Sequence, residues 1–150
     1  MDRIADPRAG AVALEMPRAG PLLPLSREHH TTLVLARNMQ RAAREGTPDE
    51  QQHWLAQAQA HAAELLEPHF RQEEALLARC RTQLPQALID RLLAEHTQLR
   101  HLAMHRSTDP AADLHAFAEL AMAHVRWEER TLFPLLQPLL ENAEEQDPAS

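Results

Sequence analysis

The sequence predicts an all-α protein folded as an antiparallel up-down-up-down four-helix bundle, and three observations predict it. Alanine, leucine, glutamate, glutamine and arginine dominate, while glycine numbers 3 and aromatics make up 3%, a composition of strong helix formers. Four segments place apolar residues at the three-and-four spacing of an amphipathic helix. Only short connections separate them, which forces successive helices to run back along each other. At 150 residues the chain is long enough for one hydrophobic core.

Residues 1–24 hold four prolines and two of the three glycines and read as a flexible N-terminal arm. The bundle is expected over residues 25–140. Its first helix should open on Ser26 as N-cap and run to about Glu45, with Gly46 in the left-handed conformation that ends helices. Thr47-Pro48-Asp49-Glu50 then has the form of a capping box with proline in the first turn. The second helix should reach about Cys80, kinked where Pro68 removes a backbone hydrogen bond. A third helix is expected from about Gln86 to Arg106, with Leu88, Leu92, Leu93, Leu99, Leu102 and Ala103 as its apolar stripe. Asp109-Pro110 repeats the cap-then-proline start, and the fourth helix should extend to about Phe133. Pro134 and Pro138 should make its continuation to Leu140 irregular. Residues 141–150, with Glu141, Glu144, Glu145 and Asp147, read as an acidic, disordered tail.

The net charge of −7 argues against nucleic acid or an anionic membrane as partner. No segment approaches the roughly 18 apolar residues of a membrane span, and the N-terminus lacks the apolar centre of a signal peptide. The single cysteine, Cys80, suits a reducing compartment and a packing role. A cytoplasmic protein is the expectation. Composition does not predict ten histidines against no tyrosine, and the chemistry is sought there.

Each residue advances about 100° around a helix, which sorts the histidines into faces. His124 shares the stripe of Phe117, Leu120, Ala121, Glu128 and Leu135, whereas His115 lies about 180° away. His96 is flanked by Leu92, Leu93, Leu99 and Ala103, with His101 and His105 pointing to water. His69 and Glu73 share the face of Leu65, Leu66, Leu76 and Leu77; His53 lies opposite and His61 at the core edge. In the first helix His29 falls towards Ala36, Met39 and Ala43, while His30 lies near Arg37, Arg41 and Arg44. Four inward histidines with two inward glutamates make an interior that needs a compensating cation, because an uncompensated buried carboxylate costs several kcal/mol.

Order along the chain supports this selection. Glu28-His29 leads to His69-x-x-x-Glu73-Glu74, and Glu95-His96 leads to His124-x-x-x-Glu128-Glu129, so the same αα-hairpin is written twice. Aligning the two Glu-His pairs also matches Leu35-Ala36 with Leu102-Ala103, which favours His29 over His30. His29 lies near the start of its helix, so the segment Leu14 to Leu25 is a candidate cover for that end of the site.

Glu-His opening a helix, His69-Phe70-x-x-Glu73-Glu74 on the next, Glu-His again, then His124-x-x-x-Glu128-Glu129 followed by Leu132-Phe133-Pro134 together resemble the hemerythrin-like, HHE cation-binding family from about Leu25 to Leu136. The resemblance implies a non-haem di-iron centre, oxo-bridged, with His29, His69, His96 and His124 as terminal ligands and Glu73 and Glu128 as bridges. Such a centre binds or reacts with dioxygen, peroxide or nitric oxide in storage, sensing or detoxification. The alternative is an iron-responsive module in which metal stabilises the bundle. Nitrogen and carboxylate donors without thiolate suit iron or manganese and do not by themselves exclude zinc. The family's oxygen carriers place a further histidine four residues after the third-helix ligand, where this chain has Arg100. The resemblance therefore implies a more open centre, with Glu74, Glu129 or His61 as candidates for an extra ligand.

Overall fold

The structure, a computed structural model, describes residues 17–146. Six α-helices form four rods: α1 (Leu22–Glu45); α2 (Pro48–His61) continuing through a π turn (Ala62–Leu66) into α3 (Glu67–Arg79); α4 (Gln86–Met104); and α5 (Pro110–Trp127) continuing through a second π turn (Glu128–Leu132) into α6 (Phe133–Gln146). A short 3-10 segment, Arg81–Gln83, links α3 to α4. The rods pack as a helical bundle in which α1 lies chiefly against α5, and no strand occurs among the described residues. No helix among them is long and apolar enough to cross a membrane.

Helix α1 begins four residues before the expected Ser26 cap. Gly20 supplies a left-handed turn (φ 56°), Pro21 occupies the N-cap position and Pro24 sits in the first turn, where its missing N–H costs nothing. The extension buries Leu22 and Leu25 completely, at roughly 1.5–3 kcal/mol per side chain, more than the ~1 kcal/mol a Ser cap contributes. Of the segment Leu14–Leu25 expected to cover one end of the site, the first three residues lie outside the described residues; Leu22 and Leu25 belong to the core.

Gly46 corrects the expectation in a different way. Its backbone is extended (φ −80°, ψ 155°), and glycine is needed there because a Cβ would stand 2.7 Å from the Ala42 carbonyl oxygen. The capping box at Thr47 is present, with the Thr47 side chain accepting from Glu50 N–H at 3.2 Å and Glu50 accepting from Thr47 N–H at 2.8 Å.

Pro68 does not simply kink its helix. It follows a π turn in which the Glu67 N–H reaches back to the Ala62 carbonyl, a widening that makes room for the proline ring and its missing donor. Pro134 stands in the same relation to the second π turn, where the Phe133 N–H reaches Glu128. The fourth rod consequently stays helical past Leu140 to Gln146, into the segment expected as an acidic tail. Helix α4 ends at Met104, two residues early, and Arg106 donates to the carbonyls of Ala103, His105 and Leu55 beyond it.

Two apolar clusters fill the bundle. One gathers Leu22, Leu25, Leu76, Leu92, Leu132, Phe133 and Leu136; the other gathers Met39, Leu55, Phe70, Leu99, Phe117 and Ala121. Along α1, α4 and α5 the inward histidines fall between the two clusters, forming one polar layer across an otherwise apolar core. Leu93 and Leu135, expected on inward stripes, are 43% and 47% exposed: the angular count drew both stripes one position too wide.

Candidate metal centre

The polar layer contains His29, His69, Glu73, His96, His124 and Glu128, all buried, with Glu128 and His96 wholly inaccessible. They form two overlapping donor groups. His29, His69, Glu73 and Glu128 offer atoms within 4.8 Å of one another, and so do Glu73, His96, His124 and Glu128. The two glutamates belong to both groups. Glu73 directs Oε2 to His69 Nε2 (3.0 Å) and His29 Nε2 (3.6 Å), and Oε1 to His96 Nε2 (3.0 Å). Glu128 directs Oε1 to His29 Nε2 (2.7 Å) and Oε2 towards His124 Nε2 (3.4 Å). Each carboxylate thus presents one oxygen to each histidine pair.

The structure brings together all six residues that the sequence selected and leaves the other histidines out. His30, His53, His101, His105 and His115 are exposed. His61 is half-buried, with its Nε2 2.9 Å from the Thr32 hydroxyl, and burial together with the nearby His69 charge lowers its pKa.

A ring of four further glutamates surrounds the six, and sequence reasoning did not assign it. The outer nitrogen of each histidine donates to one of them: His29 Nδ1 to Glu129 (2.6 Å), His69 Nδ1 to Glu28 (2.8 Å), His96 Nδ1 to Glu74 (2.7 Å) and His124 Nδ1 to Glu95 (2.7 Å). A carboxylate on Nδ1 fixes the ring's orientation and leaves Nε2 facing inwards, the usual arrangement behind a metal-binding histidine. Glu74 and Glu129, expected as candidate extra ligands, are engaged in this ring instead. The signal was in the repeat: Glu-His and Glu-Glu occur as neighbours in both halves, and the outer member of each pair reaches across to another helix.

Arg100 does not enter the cluster either. It donates to Glu67 from Nε (2.8 Å) and Nη2 (3.3 Å) and to Glu74 from Nη2 (3.2 Å). Aromatic rings wall the layer on both sides, Phe70 stacked on His96 (3.9 Å between centroids) and Phe133 on His29 (5.3 Å). Outside Phe70, a cavity of about 420 Å³ lined by Leu66, Leu99, Arg100 and Met104 among others lies between the second rod and α4.

Burial opposes protonation of His29, His69 and His124, but the surrounding carboxylates outweigh it: His29 lies well above the ordinary histidine value, His69 above it, and His124 is raised to about 9. Burial works against ionisation of Glu73, yet hydrogen bonds from His29, His69 and His96 hold its pKa well below the usual carboxylate range. The same balance lowers Glu95 and Glu129.

The donors fit a metal ion on two counts. His124 Nε2 and Glu128 Oε2 are buried without a hydrogen-bond partner, although they point towards one another across the shared space; polar atoms this deep are normally satisfied. The donor set is imidazole and carboxylate with no thiolate, suited to iron, manganese or zinc. The cluster is compatible with metal binding.

Among known families, the model for the hemerythrin HHE cation-binding domain matches residues 23–136, including all six inner residues and the outer four. No curated protein and no solved structure matches the chain.

Proposed function

Since the chain belongs to the hemerythrin HHE cation-binding domain family, we propose that it is a non-haem di-iron protein that binds or reacts with dioxygen, peroxide or nitric oxide. One observation carries the reading: two four-donor groups share Glu73 and Glu128, each carboxylate offering one oxygen to either histidine pair. His29 and His69 would hold one ion, His96 and His124 the other, and the two glutamates would bridge them.

When bound, such an ion pair supplies Lewis acidity and electrons to a small ligand. The protein does the rest. The outer glutamates orient the four imidazoles, and Phe70 and Phe133 keep water from the faces of His96 and His29. The cavity outside Phe70 gives a small neutral molecule an apolar approach to within one ring of His96.

We also read the four rods as an up-down-up-down bundle of two hairpin repeats. The outer ring supports this, because Glu28–His69 and Glu95–His124 are equivalent pairs within the halves, while His29–Glu129 and His96–Glu74 are equivalent pairs between them.

A second reading, a metal-responsive module, is favoured by one fact: each donor group draws on three rods and the two groups together on all four, so a bound ion pair would tie the whole bundle together. Metal analysis with ultraviolet and visible spectra before and after oxygen exposure tests both readings. About two irons per chain with oxo-bridge absorption is the expected result. His69→Ala and Glu128→Ala should lower that content and His115→Ala should not. Equal loss in all three, or zinc as the only tightly held metal, would overturn the di-iron assignment. A melting point that rises steeply with iron while dioxygen, peroxide and nitric oxide leave the spectrum unchanged would establish the second reading instead.

A further inference from the structure

Each of the four outer glutamates orients one histidine, but they are not held alike. Glu95 accepts from Arg91 Nε at 3.0 Å, and the Arg91 guanidinium lies 4.5 Å from the centre of the Trp127 ring. Glu129 accepts from Ser26 at 2.7 Å and from Arg18 Nε at 3.3 Å. Glu74 accepts from Arg100 at 3.2 Å. Glu28 has a side chain 39% exposed and, among the described residues, no arginine partner. Both outer carboxylates of the His96/His124 pair are therefore held by arginines, against one of the two behind His29 and His69.

Arg100 reaches His96 by two routes. Through Glu74 it fixes the acceptor of the His96 Nδ1 proton, 2.7 Å away. Its guanidinium also lies 5.2 Å from the centre of the Phe70 ring, and that ring stacks on His96 at 3.9 Å and 17°. The two hydrogen bonds to Glu67 anchor the guanidinium to α3, so the clamp spans both helices that flank the ring. A ligand already fixed in its binding orientation loses less freedom on taking up an ion, which tightens binding without adding a contact to the ion.

We propose that the two metal positions are inequivalent, the His96/His124 position filling first and exchanging more slowly, with Arg100 as the positioning residue that sets the difference. This rests on the reading that the cluster holds two ions. The residue that replaces a histidine of the oxygen carriers is then a brace for the histidine one turn before it.

Anaerobic titration of the full chain with cobalt(II), followed by calorimetry and by the visible absorption of the bound ion, tests this. Two resolved steps are expected. Arg100→Gln should weaken the first step by about tenfold, in the range seen when outer partners of metal ligands are removed, and shift the absorption of the first equivalent. The second step should hold. Arg100→Lys should recover only part of the loss, since an ammonium neither forks to a carboxylate nor stacks flat on a ring. Glu28→Gln should weaken the second step alone, and it carries the test if Arg100→Gln folds poorly. Two equivalents taken up in one unresolved step would overturn the inequivalence while leaving the two-ion reading intact. Equal weakening of both steps by Arg100→Gln, or no change in either, would remove Arg100 from the role. No cobalt uptake would overturn both readings.

Discussion

In the first half of the chain the inner pair His69 and Glu73 lies within α3, after a π turn, and closes a 3.0 Å contact. In the second half His124 lies near the end of α5 and Glu128 opens a π turn, with their facing atoms 3.4 Å apart and unpartnered. The donors repeat although the surrounding backbone does not. Both halves preserve the regular turn from histidine to glutamate, which keeps the two side chains on one face. The first half places its widened turn before that stretch and the second begins it on the glutamate itself, each just ahead of the proline, Pro68 or Pro134, that calls for it. Selection of donor geometry and accommodation of proline are therefore separable along one rod.

Removing the charge of either shared carboxylate should have the largest effect and should separate the two halves. Glu73 meets three histidines and Glu128 two, so Glu73→Gln strands more buried partners. Glu73→Gln should cost about 3–5 kcal/mol in urea unfolding, the scale of breaking a buried ion pair, and Glu128→Gln less. Both should lose two-metal stoichiometry. Equal costs would mean that the two halves are closer equivalents than their contacts indicate.

Proton competition tests the pairing that both halves share. Only neutral imidazoles ligate, and His124, raised to about 9, is protonated at pH 7 and must give that proton up to a metal ion; the raised values of His29 and His69 act in the same direction. Proton release on metal binding should be larger at pH 7 than above pH 9, and apparent affinity should fall as pH falls below 9; potentiometric titration with zinc measures both. Under chelation the sign for stability is opposite. The His124 contribution is complete below the unfolded value of about 6.5 and is lost as pH rises through about 9. The contribution of Glu73, Glu95 and Glu129 is complete above about 4.5 and is lost as pH falls through their lowered values. The chelated protein should therefore be most resistant to urea between about pH 4.5 and 6.5, losing stability towards pH 9.

Gly46→Ala should have the smallest effect on the centre. It forces the end of α1 away from the Ala42 carbonyl and should cost about 1–3 kcal/mol of stability. Metal content should stay unchanged, because His29 lies about 25 Å away along the helix. A drop in bound metal would show that the end of α1 is coupled to the layer.

The six inner residues were legible in the sequence because helical geometry turns spacing into facing, and because the motif is written twice. His29 could be separated from His30 by 100° of rotation alone, and the Thr47 capping box needed only four consecutive residues. These are local relations, and local relations survive without a fold. The remaining features depend on helices far apart in sequence. The start of α1 at Leu22 was set by what Leu22 and Leu25 could bury, against the local preference for a Ser26 cap. The exposure of Leu93 and Leu135 was set by where neighbouring rods stop covering a face. Glu28, Glu74, Glu95 and Glu129 acquired their roles only when folding set each against a histidine 22 to 100 positions away. A side chain's helical face follows from its own segment, but its hydrogen-bond partner follows from which segment the packing brings opposite it.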